Sequence, residues 1–402
     1  MTIATLPLVG MNISGMASND YVENAELGTH YREPEDKHFI ATPCELFRMP
    51  TSANRFSQGQ GIALNETYCL QVEKVLDRAA SHGKKVILEL HNYMRLPVKV
   101  QEKAGPYTFV SWYQVKDANG VVYNYRDQSF WSYQIKPGYS YTYHFDKRDG
   151  KCRLFEYRVI GVAGNPKLYN QYGMPDLWKR IVKRFMNHPA IFGWGIMNEP
   201  YSNGEIDPST GQLIDMKALW HKTAYDVVES IWPIDKNHFV FVCGNEYASA
   251  RNWPAASDML KDLPDPYGML VYEAHNYLDN NGTGGGNWAT SAGVNEIVDP
   301  NTGINMVTPF VDWLIANGKK GYLGEHGFPA GNLSAKQATD ALLDHLIGKR
   351  IPSTQWCFGP GWPDDDKLGM CLDRSLNTVP LKDNCDAIMT RIGVKTEKYG
   401  PV

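Results

Sequence analysis

The chain has 402 residues, 43% of them hydrophobic, and a formal charge of −4, which allows a large buried core and gives no run of five or six like charges. A basic footprint for nucleic acid or anionic lipid is therefore excluded, and neutral or polar substrates fit better. No stretch approaches 18 consecutive apolar residues, and the opening MTIATLPLVG lacks the regions of a signal peptide, so localisation stays open, extracellular where a leader has been removed.

Eight short apolar runs bounded by turn signals are read as strands. In chain order they are PLVGMNISGM, CELFRMP, KKVILELHNY, IFGWGIMNEP, HFVFVCGN, GMLVYEAHNY, KGYLGEHGF and TQWCFGPGW. Helical periodicity lies between most of them: NETYCLQVEKVLDRAASHG, DLWKRIVKRFMNH, KALWHKTAYDVVESIW, TPFVDWLIANG and AKQATDALLDHLIGK. Near-continuous apolar strands alternating with amphipathic helices predict a parallel sheet covered by helices. Eight units favour an α/β fold of the closed (β/α)8 TIM-barrel type over a doubly wound open sheet. No GxGxxG follows the first strand, and polar residues stand at the C-terminal ends of nearly all eight strands, where a barrel carries its site.

The third βα connection is far too long for the two to six residues usual there. Residues 97–172 hold 17 Phe, Trp or Tyr and read as β-hairpins, with an Asn-Gly turn in YQVKDANGVVYNY and an Asp-Gly turn in YSYTYHFDKRDGKCRLFEYRV. The expectation is one catalytic domain over 1–402 with a β-rich insertion at 97–172 that walls one end of a cleft. Trp112, Trp131 and Tyr133 are its candidates for sugar contact. The loop NNGTGGGNW after the sixth strand is read as a flexible rim loop.

The seven cysteines are no closer than 14 residues apart, which excludes a CxxC motif or a zinc ribbon. Cys44, Cys243 and Cys357 lie in apolar runs and are read as buried free thiols. Cys371 and Cys385 pair only where the fold brings them together.

In a barrel, Arg48, His91, Asn92, Asn198, Glu199, His275, Tyr277, Glu325, His326 and Trp356 converge at one mouth. Two carboxylates, an Arg, several His and Tyr, and a Trp are the parts for retaining glycoside hydrolysis, and strands four and seven place Glu199 and Glu325 across the mouth from each other. Asn92 and His326 are read as structural. No two of the eleven histidines lie within three residues of each other, so the His-x-His of metal-dependent barrels is missing and neither metal nor cofactor is expected.

These residues resemble glycoside hydrolase family 5, the cellulase family of (β/α)8 retaining enzymes, over nearly the whole chain outside the insertion. FRMP resembles the family's strand-two Arg at Arg48, and LHNY its strand-three His at His91. MNEP implies Glu199 as acid/base with Asn198 as its helper, EAHNY supplies His275 and Tyr277, GEHG implies Glu325 as nucleophile, and QWCFGPGW supplies the strand-eight Trp356. Two features depart from the pattern: His326 follows the nucleophile, and the third loop carries the insertion. The resemblance implies an oligosaccharide or polysaccharide substrate, with β-1,4-glucan first, a bacterial exopolysaccharide or capsule second and mannan third. A catalytically silent, glycan-binding barrel is the alternative of another class. Asn198 and Glu199 are adjacent, so in a regular strand they would face opposite sides, and both can serve one site only where the strand has ended or bulged.

Overall fold

A computed structural model describes residues 5–18, 26–28, 31–57, 61–98, 108–111, 114–116, 119–124, 139–146, 151–159, 173–201, 212–279, 297–372 and 378–401. Eight parallel strands close into a barrel: β1 Val9–Ile13, β2 Leu46–Thr51, β3 Lys85–Leu90, β4 Ile191–Gly195, β5 Phe239–Cys243, β6 Leu270–His275, β7 Gly321–His326 and β8 Ser353–Phe358. Each pairs with its sequence neighbours, and β8 closes on β1. The barrel reading thus holds, and the open sheet does not.

The period-two alternation of the strands sorts their side chains. Val86, Leu88 and Leu90 of β3, Phe47 and Met49 of β2, and Tyr272 and Ala274 of β6 pack outward in the main core under the helices. Leu46, Ile87, Phe241, Val271 and Tyr322 point inward and form a second cluster with Leu8 and Tyr399. Tyr399, near the C-terminus, donates its hydroxyl hydrogen to the Pro7 carbonyl at 3.0 Å, so the N-terminal end of the barrel is filled by apolar rings. On β2, β3 and β6 the residues two positions further along are charged and lie towards the opposite end.

The long helices are Glu66–Ser81, Met174–Phe185, Met216–Ile231, Thr302–Asn317 and Leu333–Gly348, close to the sequence expectation in four cases. The fifth differs. The expected pattern TPFVDWLIANG begins at Thr308, yet the helix starts at Thr302 and contains Pro309. Packing accounts for the extension: Gly303 sits where a Cβ would press on Leu342 Cβ at 2.9 Å and on the Ala338 carbonyl at 3.3 Å, and Val307 is fully buried. Among the described residues no helix is long and apolar enough to cross a membrane.

After β3 the chain forms a separate antiparallel sheet from Arg95–Val98, Thr108–Ser111, Gln114–Lys116, Val122–Asn124, Tyr139–Asp146 and Lys151–Val159. Gln114–Lys116 pairs with Val122–Asn124 across the Asn119-Gly120 turn, where Gly120 has φ +85°, and Tyr139–Asp146 pairs with Lys151–Val159. Both expected hairpins are present, and the sheet begins at Arg95, two residues before the expected boundary. Trp112, Trp131, Tyr133 and the loop NNGTGGGNW lie outside the described residues.

Candidate active site

The inward face of the barrel changes character within one residue pair. Two positions beyond Leu46, Ile87 and Val271 stand Arg48, Glu89 and Glu273, each no more than 1% exposed. One layer higher lie His91, His275 and Glu325. Small residues make room for this charged layer, since a Cβ on Gly195 of β4 would lie 2.7 Å from Glu89 Cβ, and one on Gly324 of β7 would overlap the Glu273 carboxylate. Gly324 also lies where β7 slips by one residue against β6, so that His275 pairs with Glu325.

Strand β4 ends at Gly195, and the chain crosses to the site without regular pairing. The Asn198 N–H donates to the Leu90 carbonyl at 2.7 Å, while the Glu199 N–H points to Cys243 Sγ at 3.3 Å. Glu199 has φ +42°, a left-handed conformation that costs a non-glycine residue on the order of 1–3 kcal/mol. That turn brings the adjacent Asn198 and Glu199 to the same site, as their joint use requires.

Arg48 is the hub. Its Nη1 donates to Glu325 Oε1 and to Asn12 Oδ1, both at 2.9 Å, and its Nη2 donates to Asn198 Oδ1 at 2.7 Å. Its Nε lies 2.9 Å from Glu273 Oε1, a charge contact whose angle is not that of a hydrogen bond, and Glu89 Oε1 is 3.5 Å from Nη2. Tyr277 donates its hydroxyl to the other oxygen of Glu325 at 2.8 Å. Glu199 Oε1 meets His275 Nδ1 at 2.6 Å, and the same nitrogen is 3.7 Å from Glu325 Oε2.

Hydrogen-bond complementarity assigns the remaining rings. His91 Nδ1 faces both Glu89 oxygens at 3.1 and 3.2 Å, so it carries the proton, and Nε2 accepts from Tyr93 Oη at 3.1 Å and from Asn198 Nδ2 at 3.3 Å. The His91 ring is parallel to Trp356, 5.4 Å between centroids. Trp356 in turn meets Trp362 edge-on at 5.9 Å.

These surroundings separate the two carboxyls. Burial pushes Glu199 above the usual carboxylate range, against the pull of His275, and the neighbouring Glu325 adds to the rise. Burial acts on Glu325 in the same sense, but His275, Arg48 and the Tyr277 hydrogen bond overcome it and hold Glu325 below that range. His275 itself is raised: burial opposes its charge, and Glu325, Cys243 and the hydrogen bond to Glu199 together outweigh the opposition. A carboxyl that keeps a proton beside one that has lost it is the state needed for acid-assisted displacement.

All eight sequence candidates, Arg48, His91, Asn198, Glu199, His275, Tyr277, Glu325 and Trp356, therefore meet at one end of the barrel. His326 faces the opposite side of β7, with neither ring nitrogen bonded among the described residues, and burial lowers it to about 3. Asn92 accepts from the Ala53 N–H at 2.7 Å, a structural contact. Cys44, Cys243, Cys357, Cys371 and Cys385 are all buried, and none is joined in a disulfide among the described residues. Sequence reasoning missed Asn12, Glu89 and Glu273. The signal for the two glutamates was present: each is an acid inside an apolar run, two residues before a histidine. Cys243, Glu273 and His275 form one compact set of metal-type donors, and Glu199, His275 and Glu325 another. The Arg48 cation, 2.9 Å from both Glu273 and Glu325, works against a second positive charge in either.

The chain matches the family model of cellulase (glycosyl hydrolase family 5) over residues 9–361. It is 34% identical over 131 residues to endo-beta-1,4-glucanase A and 36% identical over 132 residues to endo-beta-1,4-glucanase B, both of Emericella nidulans. Each match takes in 32% of this chain and 37% of the relative, so the chain spans little more than a third of the length of these curated relatives. Pseudomonas stutzeri endoglucanase Cel5A, solved in complex with cellobiose, superposes with a TM-score of 0.71 at 27% identity, over 98% of this chain and 95% of that one. Cel5A (EG2) from Hypocrea jecorina shares the fold, with a TM-score of 0.63 at 16% identity over 96% and 98% of the two chains.

Proposed function

Because the chain belongs to the cellulase family, glycosyl hydrolase family 5, we propose that it cleaves β-1,4-linked glucan within the polymer and retains the anomeric configuration. Glu325 attacks the anomeric carbon, and Glu199 protonates the leaving oxygen and then activates water. The observation that carries this reading is the closeness of the two acids: an oxygen of Glu199 and one of Glu325 lie within 4.8 Å of each other. Retaining pairs stand about 5–5.5 Å apart, whereas inverting pairs need about 6.5–9.5 Å to admit a water. The choice of β-1,4-glucan rests on the names of the relatives and on the cellobiose bound to the Pseudomonas stutzeri enzyme.

The other residues take roles that fit their contacts. Arg48 and Tyr277 hold Glu325 ionised and aimed, one on each oxygen. Asn198, fixed by Arg48 and His91, keeps an amide hydrogen for the sugar's 2-hydroxyl, a contact that strengthens in the transition state. Trp356 offers an apolar ring for a pyranose. A substrate too large to cross a membrane places the action outside the cell. Proton NMR of the first product tests the reading, with the β anomer expected ahead of mutarotation. The α anomer appearing first would replace retention by inversion.

The inserted sheet is assigned to the same polymer, because it leaves the barrel directly after β3, whose end carries His91. Replacing 97–172 with a short Gly/Ser loop should lower kcat/KM on long chains by about tenfold or more, about 1.4 kcal/mol of binding. Small aryl cellobiosides should be cleaved as before. Unchanged polymer kinetics would remove the insertion from the binding site, and a changed oligomer size would reassign it to assembly.

A further inference from the structure

The inward layer contains the same arrangement twice. On β3, Glu89 precedes His91 by two residues; on β6, Glu273 precedes His275 by two. Each glutamate reaches Arg48, at 3.5 Å to Nη2 for Glu89 and 2.9 Å to Nε for Glu273. Each also faces its histidine, Glu89 Oε1 at 3.1 Å from His91 Nδ1 and Glu273 Oε1 at 3.2 Å from His275 Nε2. Each is accommodated by a glycine of the next strand, Gly195 or Gly324. In both cases that next strand leads to one of the paired acids, Glu199 or Glu325. The two copies differ in what the histidine serves: His91 meets Asn198, and His275 meets Glu199.

We propose that Glu273 is a positioning residue for proton transfer, which fixes the proton-bearing nitrogen of His275 and so keeps one proton in the contact between His275 and Glu199. The inference rests on the acid/base assignment of Glu199 made above. A carboxylate has no hydrogen to give, so the 3.2 Å contact with Glu273 requires a proton on His275 Nε2. Nδ1 is then the nitrogen left for Glu199, and a 2.6 Å separation between Nδ1 and Oε1 holds a single proton. When that proton passes to the leaving oxygen, Glu199 becomes an anion facing the ring. The ring is then neutral, protonated only at Nε2, and the proton that Glu199 next takes from water restores the shared proton, which a carboxylate behind the ring helps to hold.

The other charged or titratable neighbours do not supply this function. Cys243 of β5 is 3.9 Å from Nε2, and burial pushes its thiol up to about 12, so it remains uncharged. Glu325 of β7 reaches only the Nδ1 side, at 3.7 Å. Tyr277 is committed to Glu325, and burial together with that carboxylate holds its hydroxyl well above its ordinary value. Arg48 of β2 reaches His275 through Glu273, while Glu89 and His91 of β3 lie beyond Arg48. Tyr322 of β7 is engaged with Thr354.

Glu273→Gln removes the anion and keeps the shape. The basic limb of kcat/KM against pH on cellulose oligomers should move down by about 1 pH unit or more, because the shared proton is held less firmly. The acidic limb should not move up, since Arg48 is left freer to hold Glu325 ionised. With a dinitrophenyl cellobioside, whose departure needs no proton, the loss in kcat/KM should be smaller. Glu89→Gln is the matched control: an equally buried partner of Arg48 whose histidine does not touch Glu199, expected to leave the basic limb in place. A basic limb unmoved in Glu273→Gln, moved equally in Glu89→Gln, or a loss equal on both substrates would overturn the proposal. A second measurement needs no variant. In wild type labelled with 15N-histidine, Nε2 of His275 should stay protonated across the active pH range, and a bare Nε2 there would also overturn it. Wild type inactive on both substrates would instead sink the hydrolase reading, whereas an active enzyme failing these tests loses only the role of Glu273.

Discussion

Glu325→Ala should reduce glucan hydrolysis on the order of 10⁵-fold while the barrel stays folded, as expected when a covalent nucleophile is removed. The fold survives because Arg48 still faces Glu273 at 2.9 Å and Glu89 at 3.5 Å, so truncation does not leave its charge unpaired. The space opened above Arg48 is cationic on one side and suits a small anion. Azide should enter it, attack the anomeric carbon and yield a glycosyl azide of inverted configuration. Glu199→Ala should behave differently. It should spare the first step for substrates with very good leaving groups, and azide should then intercept the glycosyl-enzyme to give a product of retained configuration. An exchange of the two outcomes would exchange the two roles.

Arg48→Met should cost about 3–5 kcal/mol of stability, read as a lower urea midpoint, and most of the activity. Breaking a buried ion cluster by removing one partner leaves uncompensated charge in a low-dielectric interior, and here three carboxylates, Glu89, Glu273 and Glu325, would lose their common cation. The pH dependence gives this prediction its sign. In wild type Glu325 is depressed, so it contributes stability above the unfolded carboxylate range that is lost as pH falls through its folded value. Without Arg48 burial dominates, Glu325 rises, and its ionisation at neutral pH opposes folding. The deficit of the variant should therefore shrink towards acid pH, and the acidic limb of its residual activity should move upward. A pH-independent deficit with an unmoved limb would show that Arg48 acts by packing alone.

Much of this protein is written locally. Apolar runs bounded by turn signals locate all eight strands, and the 3.6 period locates the long helices, because burial on two faces or on one imposes those patterns wherever the segment ends up. The turn signals Asn119-Gly120 and Asp149-Gly150 mark hairpins for an equally local reason, the positive φ that tight turns require. The paired acids were legible too, since Glu199 and Glu325 end apolar strands where an unpaired charge has no structural purpose.

Other features depend on which strands face one another. The start of the helix at Thr302 lies before the periodic pattern at Thr308, because its extra turns are held by contacts with Ala338 and Leu342, distant in sequence. Cys371 and Cys385 could have been a bridge by spacing, and only the fold shows that they are not joined. The left-handed turn at Glu199 is imposed by bonds to Leu90 and Cys243 on the two flanking strands. Alternation along a strand determined that Arg48, Glu89 and Glu273 point inward. Closure of the barrel and the one-residue slip of β7 against β6 decided that they meet, because local spacing sets the face of a side chain while the register between strands sets its neighbours.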